Sequence, residues 1–244
     1  MSAKKRLDVL LVERGLAESR SQAQALVLAG RVRGHTKAGE QVDESAELAV
    51  EGGPRFVSRG GEKLAGALAA FGVDVSGEDC LDIGASTGGF TDCLLQGGAA
   101  RVIALDVGYG QLHPKLRDDP RVTVLERTNV RDLSCDELPF RPTFVVCDVS
   151  FIGLGKALPP ALACAAAGWR ALVLVKPQFE AGPADVGKGG VVRDPEVHRR
   201  VLDGIGADAA GWGAQVLGVE PSPLRGPKGN REFFVRLADA SGPA

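Results

Sequence analysis

Residues Asp79 to Phe90 read Asp-Cys-Leu-Asp-Ile-Gly-Ala-Ser-Thr-Gly-Gly-Phe, a short apolar run that ends on an acid and then breaks into a glycine-rich turn. Glycine permits positive φ and close approach of a ligand to the main chain, and a helix opening directly after the turn offers unpaired N–H groups. This is the pattern of a βα turn that cradles a nucleotide. A second apolar run ends on Asp106, seventeen positions beyond Gly89, where a carboxylate can take both hydroxyls of a ribose. A phosphate loop would need Gly-Lys-Ser/Thr where Gly88-Gly89-Phe90 stands, and the dinucleotide fingerprint G-x-G-x-x-G does not match Gly84 to Gly89. Four further charges stand where an α/β sheet collects its chemistry. Asp148 and Lys176 each directly follow an apolar run, and ligands of open α/β sheets lie outside such strand ends. Lys63 precedes the first run and Glu232 opens the last; singly, each of the four has an ordinary explanation as a surface charge.

The elements that must position these residues follow from periodicity. Apolar runs at Val122 to Glu126, Phe144 to Asp148 and Arg170 to Val175 join the Asp79 and Arg101 runs as buried parallel strands. Helices are expected from about Lys63 to Phe71, Thr91 to Leu95, Ala157 to Ala167 and Pro195 to Ala210, with final strands at Gln215 to Val219 and Glu232 to Leu237. Strands alternating with helices predict an α/β domain, a mostly parallel seven-stranded sheet covered on both faces. Before it, Arg6 to Arg14 and a segment opening at Ser19 read as two short helices. Ser19 and Gln22 stand in capping-box spacing, and short strands are expected at Arg31 to Arg33 and Glu47 to Val50. Gly52-Gly53-Pro54 marks a boundary, dividing the chain into residues 1–54, a small α+β piece, and 55–244. The polar, glycine-rich Phe179 to Val192 segment, with Lys188 and Arg193 at its end, is expected to be a mobile loop that closes on RNA.

Charge points to a partner. The 244 residues carry a net −2, but residues 1–37 hold eight Lys/Arg against three Asp/Glu, so the rest is net −7. A basic leading segment on an acidic body is suited to meeting a polyanion, and places Lys4, Arg6, Arg20, Arg31 and Arg33 as candidate nucleic-acid contacts. No apolar run approaches membrane-spanning length and no signal-peptide core follows the start, so the chain reads as cytoplasmic, with no membrane partner. Cys80, Cys93, Cys135, Cys147 and Cys164 form no C-x-x-C pair and are expected as reduced core residues. Three separated histidines give no support to a metal site.

These motifs resemble known families along nearly the whole chain. The acid-x-Gly-x-x-x-Gly turn resembles the S-adenosylmethionine (SAM) loop of Rossmann-like methyltransferases. Arg6-Leu-Asp through Ser19-Arg-Ser-Gln22 to Gly30-Arg-Val32 is similar to the alpha-L RNA-binding domain found in a small-subunit ribosomal protein, pseudouridine synthases and tyrosyl-tRNA synthetases. Lys63, Asp148, Lys176 and Glu232, in that order, resemble the Lys-Asp-Lys-Glu tetrad of FtsJ-like ribose 2′-O-methyltransferases. With Ser58-Arg-Gly-Gly-Glu-Lys63-Leu, Asp106-Val-Gly-Tyr-Gly-Gln-Leu112, Arg127-Thr-Asn-Val-Arg131, Asp148-Val-Ser-Phe-Ile152 and Lys176-Pro-Gln-Phe-Glu180, the whole resembles the TlyA family, historically called hemolysins.

The resemblance implies SAM-dependent methylation of a cytidine 2′-hydroxyl in ribosomal RNA, with the shorter members pointing to the large subunit. It implies that Arg6, Ser19, Arg20, Ser21 and Gln22 contact RNA backbone. It also implies that Asp82 binds the cofactor, that the backbone of Gly84, Ala85, Ser86, Thr87, Gly88, Gly89 and Phe90 holds the methionine part of SAM, and that Asp106 takes its ribose and Val107 and Asn129 its adenine. A ribose hydroxyl is a poor nucleophile until its proton is removed, and a lysine serves as that base when burial and a second ammonium disfavour its charged form. Lys176 is the expected base, Lys63 assists it, Asp148 orients Lys176 and faces the sulfonium, and Glu232 positions the lysines. Three other functions were weighed. Base amino-methylation leaves Lys63 and Lys176 unexplained, a membrane-lytic role lacks an amphipathic or long apolar segment, and an inert RNA-binding assembly factor differs from the leading one only in activity.

Overall fold

A computed structural model describes residues 4–17, 19–52, 54–226 and 228–242. Its contacts separate the residues up to Ser58 from those beginning at Arg59 as two compact units.

In the first unit, strand β1 (Lys4–Arg6) pairs antiparallel with β2 (Gln41–Asp43), and helices α1 (Leu7–Glu13) and α2 (Arg20–Leu28) pack beside them. Leu7, Leu11, Ala23, Val27, Val32 and Val42 close a small core. The Ser19 hydroxyl accepts the Gln22 N–H and starts α2 as its N-cap. Arg6 belongs to β1 and not to the helix expected from it. The strands expected at Arg31 to Arg33 and Glu47 to Val50 reduce to one bridge between Val32 and Val50. Gly30 and Gly34, at φ of 68° and 78°, turn the chain on either side of Val32 and leave no room for a longer ladder.

The second unit is built on one sheet with strand order β5-β4-β3-β6-β7-β9-β8, formed by β3 (Asp79–Ile83), β4 (Arg101–Leu105), β5 (Val122–Leu125), β6 (Phe144–Cys147), β7 (Arg170–Val175), β8 (Ala214–Pro221) and β9 (Phe233–Asp239). The first five are parallel, and β9 runs antiparallel to both β7 and β8. Helices α3 (Arg59–Phe71), α4 (Gly89–Gln96), α5 (Pro114–Arg117), α6 (Leu154–Ala163), α7 (Pro177–Glu180) and α8 (Pro195–Ala209) connect and cover them. Leu81, Ile83, Val145, Cys147, Ala171, Val173 and Val175 are buried under α6 and α8, which is why these strands read as continuous apolar runs. Helix α6 lies N-terminal to its expected span. The Glu180 carboxylate accepts the Leu154 N–H at its start, and the alanine-rich tail leaves the helix as Ala166 N–H bonds Pro142 O. Among the described residues no helix is long and apolar enough to cross a membrane.

The expectation that all five cysteines are free thiols fails for two of them. Cys135, in the 135–137 turn, and Cys164, at the end of α6, form a disulfide with a Cα separation of 4.9 Å across 29 positions. No local spacing announces such a tertiary pairing. Cys80, Cys93 and Cys147 are buried and outside any disulfide.

Candidate active site

The carboxyl edge of the sheet gathers the charged residues. In the β3–β6 ladder Ile83 faces Cys147, so Gly84 and Asp148 emerge side by side. A Cβ on Gly84 would lie 2.7 Å from the Asp148 carbonyl oxygen, and Gly84 has φ of +82°; only glycine satisfies both conditions. In the β7–β9 ladder Val175 faces Phe233, so the next residues in register, Lys176 and Glu232, leave adjacent strand ends. Lys63 reaches the same end from α3.

Two ion pairs form there. Lys63 Nζ donates to Glu232 Oε2 at 2.6 Å, both side chains being at most 10% exposed. Lys176 Nζ lies 2.6 Å from Asp148 Oδ1 and donates to Ser150 Oγ at 2.8 Å. Neither lysine projects into bulk water: even the Lys176 side chain is only 12% exposed. A buried ion pair such as Lys63–Glu232 is a costly arrangement to maintain for stability alone, and the half-buried Lys176–Asp148 pair stands at the same strand edge, beside a cavity that Asp148 lines.

That cavity, about 610 Å³, lies over the βα turn and is within the range of cofactor sites. Of the residues expected to hold a nucleotide, Gly84, Ser86, Asp106, Val107, Asn129 and Asp148 line it. The Asp106 carboxylate accepts the Ser86 N–H at 2.8 Å and the Gly108 N–H at 2.7 Å, each oxygen keeping a free lone pair for a ligand hydroxyl. Asn129 accepts the Arg131 N–H and caps a short turn. Ala85, Thr87, Gly88, Gly89 and Phe90 do not line the cavity. Gly88 sits at φ 95° against Leu112 and Leu116, Thr87 is exposed, and Phe90 is buried with its ring 6.0 Å from that of Phe234. Asp82 is fully buried just before the turn. Thr91 Oγ1 donates to its Oδ2 at 2.6 Å, and its Oδ1 has no partner among the described residues. Burial raises the Asp82 carboxyl to about 7, with Asp148 and Asp106 adding to the rise and Thr91 opposing it. Asp82 itself does not line the cavity; the side-chain-free approach at Gly84 and the open lone pairs of Asp106 suit a ligand carrying a ribose, as SAM does.

Several contributors were not evident from sequence. Ser150 shares Lys176 with Asp148, and Gln111, Arg131 and Lys156 line the cavity. Phe179 and Glu180 hold the loop after Asp148, Phe179 against the exposed Phe151 ring at 5.1 Å and Glu180 at the start of α6. Their signal was the Lys176-Pro-Gln-Phe-Glu180 string, which spacing alone could not decode.

In the first unit, Asp8 organises the basic surface. Its buried carboxylate accepts both Nε and Nη2 of Arg6, at 3.0 and 2.9 Å, Arg20 Nη2 at 3.1 Å and Gln24 Nε2 at 2.9 Å, and these bonds, Arg6 first, hold its carboxyl far below the usual range. Lys4 and Ser21 are exposed, whereas Arg33 pairs with Glu51 and Arg31 donates to the Glu51 and Gly52 carbonyls.

Residues 56–238 match the model of the FtsJ-like methyltransferases, and residues 5–33 match the S4 domain. The chain belongs to the FtsJ-like methyltransferase family. It is 48% identical to the 16S/23S rRNA (cytidine-2′-O)-methyltransferase TlyA of Mycobacterium tuberculosis, over 97% of this chain and 91% of that one. It is 41% identical to Hemolysin A of Brachyspira hyodysenteriae, over 95% and 99% respectively. A solved structure from Streptococcus thermophilus superposes with a TM-score of 0.78 at 43% identity, covering 100% of this chain and 91% of that one.

In this FtsJ-like methyltransferase the Asp82 carboxyl makes a prediction about pH. The unfolded side chain ionises near its ordinary 3.8 and the folded one near 7, so between those values the unfolded chain has released a proton that the fold retains. Stability should therefore fall as pH rises from about 4 to about 7 and then level off. Asp82→Asn should abolish that decline, leaving the variant more stable than the parent at pH 8 by on the order of 4 kcal/mol. Denaturant melts of both proteins across pH 4 to 8 check this; parallel curves would contradict it.

Proposed function

We propose that the protein is a SAM-dependent methyltransferase acting on the ribose 2′-hydroxyl of a cytidine in ribosomal RNA, in the cytoplasm. The observation that carries this is the convergence of the Lys63–Glu232 and Lys176–Asp148 pairs at one sheet edge beside the Gly84 turn. SAM, when bound, supplies a methyl group on a sulfonium. Gly84 and the turn after it, with Asp82 beneath, would hold the methionine part; Asp106 would take the ribose hydroxyls, and Val107 and Asn129 would flank the adenine. Asp148 and Ser150 fix Lys176 Nζ at the mouth of this site. There Lys176 Nζ, as the neutral amine left after it releases a proton to solvent, accepts the proton of the attacking hydroxyl, and Lys63, held by Glu232, sets a positive charge beside the developing alkoxide.

The S4 unit would bring the RNA. Arg6 and Arg20, steadied by Asp8, and Lys4, Ser19, Ser21, Gln22, Arg31 and Arg33 would contact its phosphates, which position a substrate without reading its sequence. The substrate is expected in large-subunit RNA, and the name of the M. tuberculosis relative puts small-subunit RNA beside it. The test is transfer of isotope from labelled SAM to separated ribosomal subunits taken from cells lacking the protein. Label recovered in 2′-O-methylcytidine supports the proposal. Label on a base favours amino-methylation, and no label with tight binding favours a non-catalytic RNA binder.

A further inference from the structure

A second concavity, about 450 Å³, opens between the segment Val191 to His198, where α8 begins, and the turn Arg225 to Arg231 that precedes β9. Four cations line it: Arg193, Arg225, Lys228 and Arg231, all exposed, and none of them pairs with a carboxylate among the described residues. The neighbouring acids are already engaged, since Asp194 caps α8 through the Glu196 N–H and Glu196 pairs with Arg199. An unpaired four-cation cluster is conspicuous on residues 38–244, whose net charge is −7. Mutual repulsion destabilises it unless an anion is bound.

The walls of the concavity are fixed from behind. Asn230, only 2% exposed, accepts the Val192 N–H at 2.9 Å and donates to the Gly190 carbonyl at 2.8 Å, tying one segment to the other. Gly226 N–H donates to the Asn230 carbonyl at 3.0 Å, and Arg225 Nη1 reaches the Gly229 carbonyl at 3.2 Å, closing the turn. The arginines thus project from a braced frame, which lowers the entropy lost on binding. The same frame touches the active site. A Cβ on Gly226 would lie 2.4 Å from Glu232 Oε1, and Glu232, which follows Arg231 directly, turns inward to Lys63 while Arg231 stays outside.

We propose that this concavity binds a backbone phosphate of the RNA substrate, adjacent to the nucleotide presented to Lys176. Guanidinium groups match phosphate oxygens with paired N–H donors, and a phosphate fixed one or two nucleotides away holds the reacting ribose in register with the lysines. The site is separate from the S4 surface, and its assignment to RNA rests on the function proposed above.

The test is equilibrium binding of the full-length protein to ribosomal subunits purified from cells lacking it, measured across a salt series. Arg225→Ala/Arg231→Ala should bind roughly tenfold more weakly at low salt, and the slope of log affinity against log salt should become shallower by about 0.7 to 0.9 per lost phosphate contact. Arg193→Ala should act in the same direction, the double Arg→Lys variant should retain most of the slope, and Arg121→Ala, a cation paired with Asp119, should change neither quantity. Unchanged melting temperature and SAM affinity establish that the variants are folded. A slope and affinity equal to the parent's in the double alanine variant overturn the proposal. The outcomes are separable from those for the catalytic function: methyl label on ribose with unaltered slopes sinks the phosphate site alone, whereas shallower slopes without any label sink the catalytic reading alone.

Discussion

Lys176→Met should abolish turnover while leaving the fold and the cofactor site in place. A positioned base contributes roughly 10²- to 10⁴-fold to a rate, so single-turnover methyl transfer should fall by about that factor, with the SAM dissociation constant within about threefold of the parent's. The side chain sits at the strand edge, held by Asp148 at 2.6 Å and Ser150 at 2.8 Å, and does not itself line the cavity over the Gly84 turn. Its removal therefore takes away the proton acceptor without emptying the cofactor site. Lys176→Arg separates a base from a mere positive charge, because a guanidinium keeps its charge and cannot serve as the base. The arginine variant should be as inactive as the methionine one. Recovery of most activity with arginine would assign Lys176 an electrostatic role only.

Breaking the buried pair behind it should be costly in stability. Lys63 and Glu232 are 10% and 1% exposed at the side chain, so Glu232→Ala leaves an ammonium out of water with no counter-charge, a loss of about 3 to 5 kcal/mol. Glu232→Gln, which keeps the volume and a carbonyl acceptor for Lys63, should cost less. Lys63→Met/Glu232→Leu should regain most of the loss, because two apolar residues of similar size replace a desolvated ion pair at little net cost, yet this double variant should transfer no methyl. Denaturant unfolding of the parent, Lys63→Met, Glu232→Leu and the double variant closes the cycle. Additive losses, or single variants within about 0.5 kcal/mol of the parent, would mean the pair is more hydrated than its burial implies.

Much of this was legible before any coordinates, for identifiable reasons. Parallel strands buried on both faces leave unbroken apolar runs, so β3, β4, β5, β6 and β7 fall within a residue of their expected ends, and the residues just past them, Asp106, Asp148 and Lys176, were picked out by position alone. The Lys63–Glu232 contact spans 169 positions, and only the resemblance to a four-residue catalytic pattern suggested it. Readings that depended on tertiary context fared worse. Arg31 to Arg33 looked like a strand, but flanking glycines in the left-handed region confine it to a single bridge. Asp8 drew no notice because an acid in a basic segment reads as dilution of charge; the fold makes it the anchor of Arg6 and Arg20. The Cys135–Cys164 link and the cationic concavity beside Glu232 are both made by segments distant in sequence, and no local pattern encodes either.

If the two lysine–carboxylate pairs serve a ribose hydroxyl, the product can be read from the nucleosides of the modified RNA. Ribosomal subunits from cells lacking the protein are incubated with SAM and either the parent enzyme or Lys176→Met, and the RNA is digested to nucleosides and resolved by mass spectrometry. New 2′-O-methylcytidine is expected with the parent and none above background with the variant; a methylated base, or equal 2′-O-methylcytidine from both proteins, would overturn the role given to Lys176.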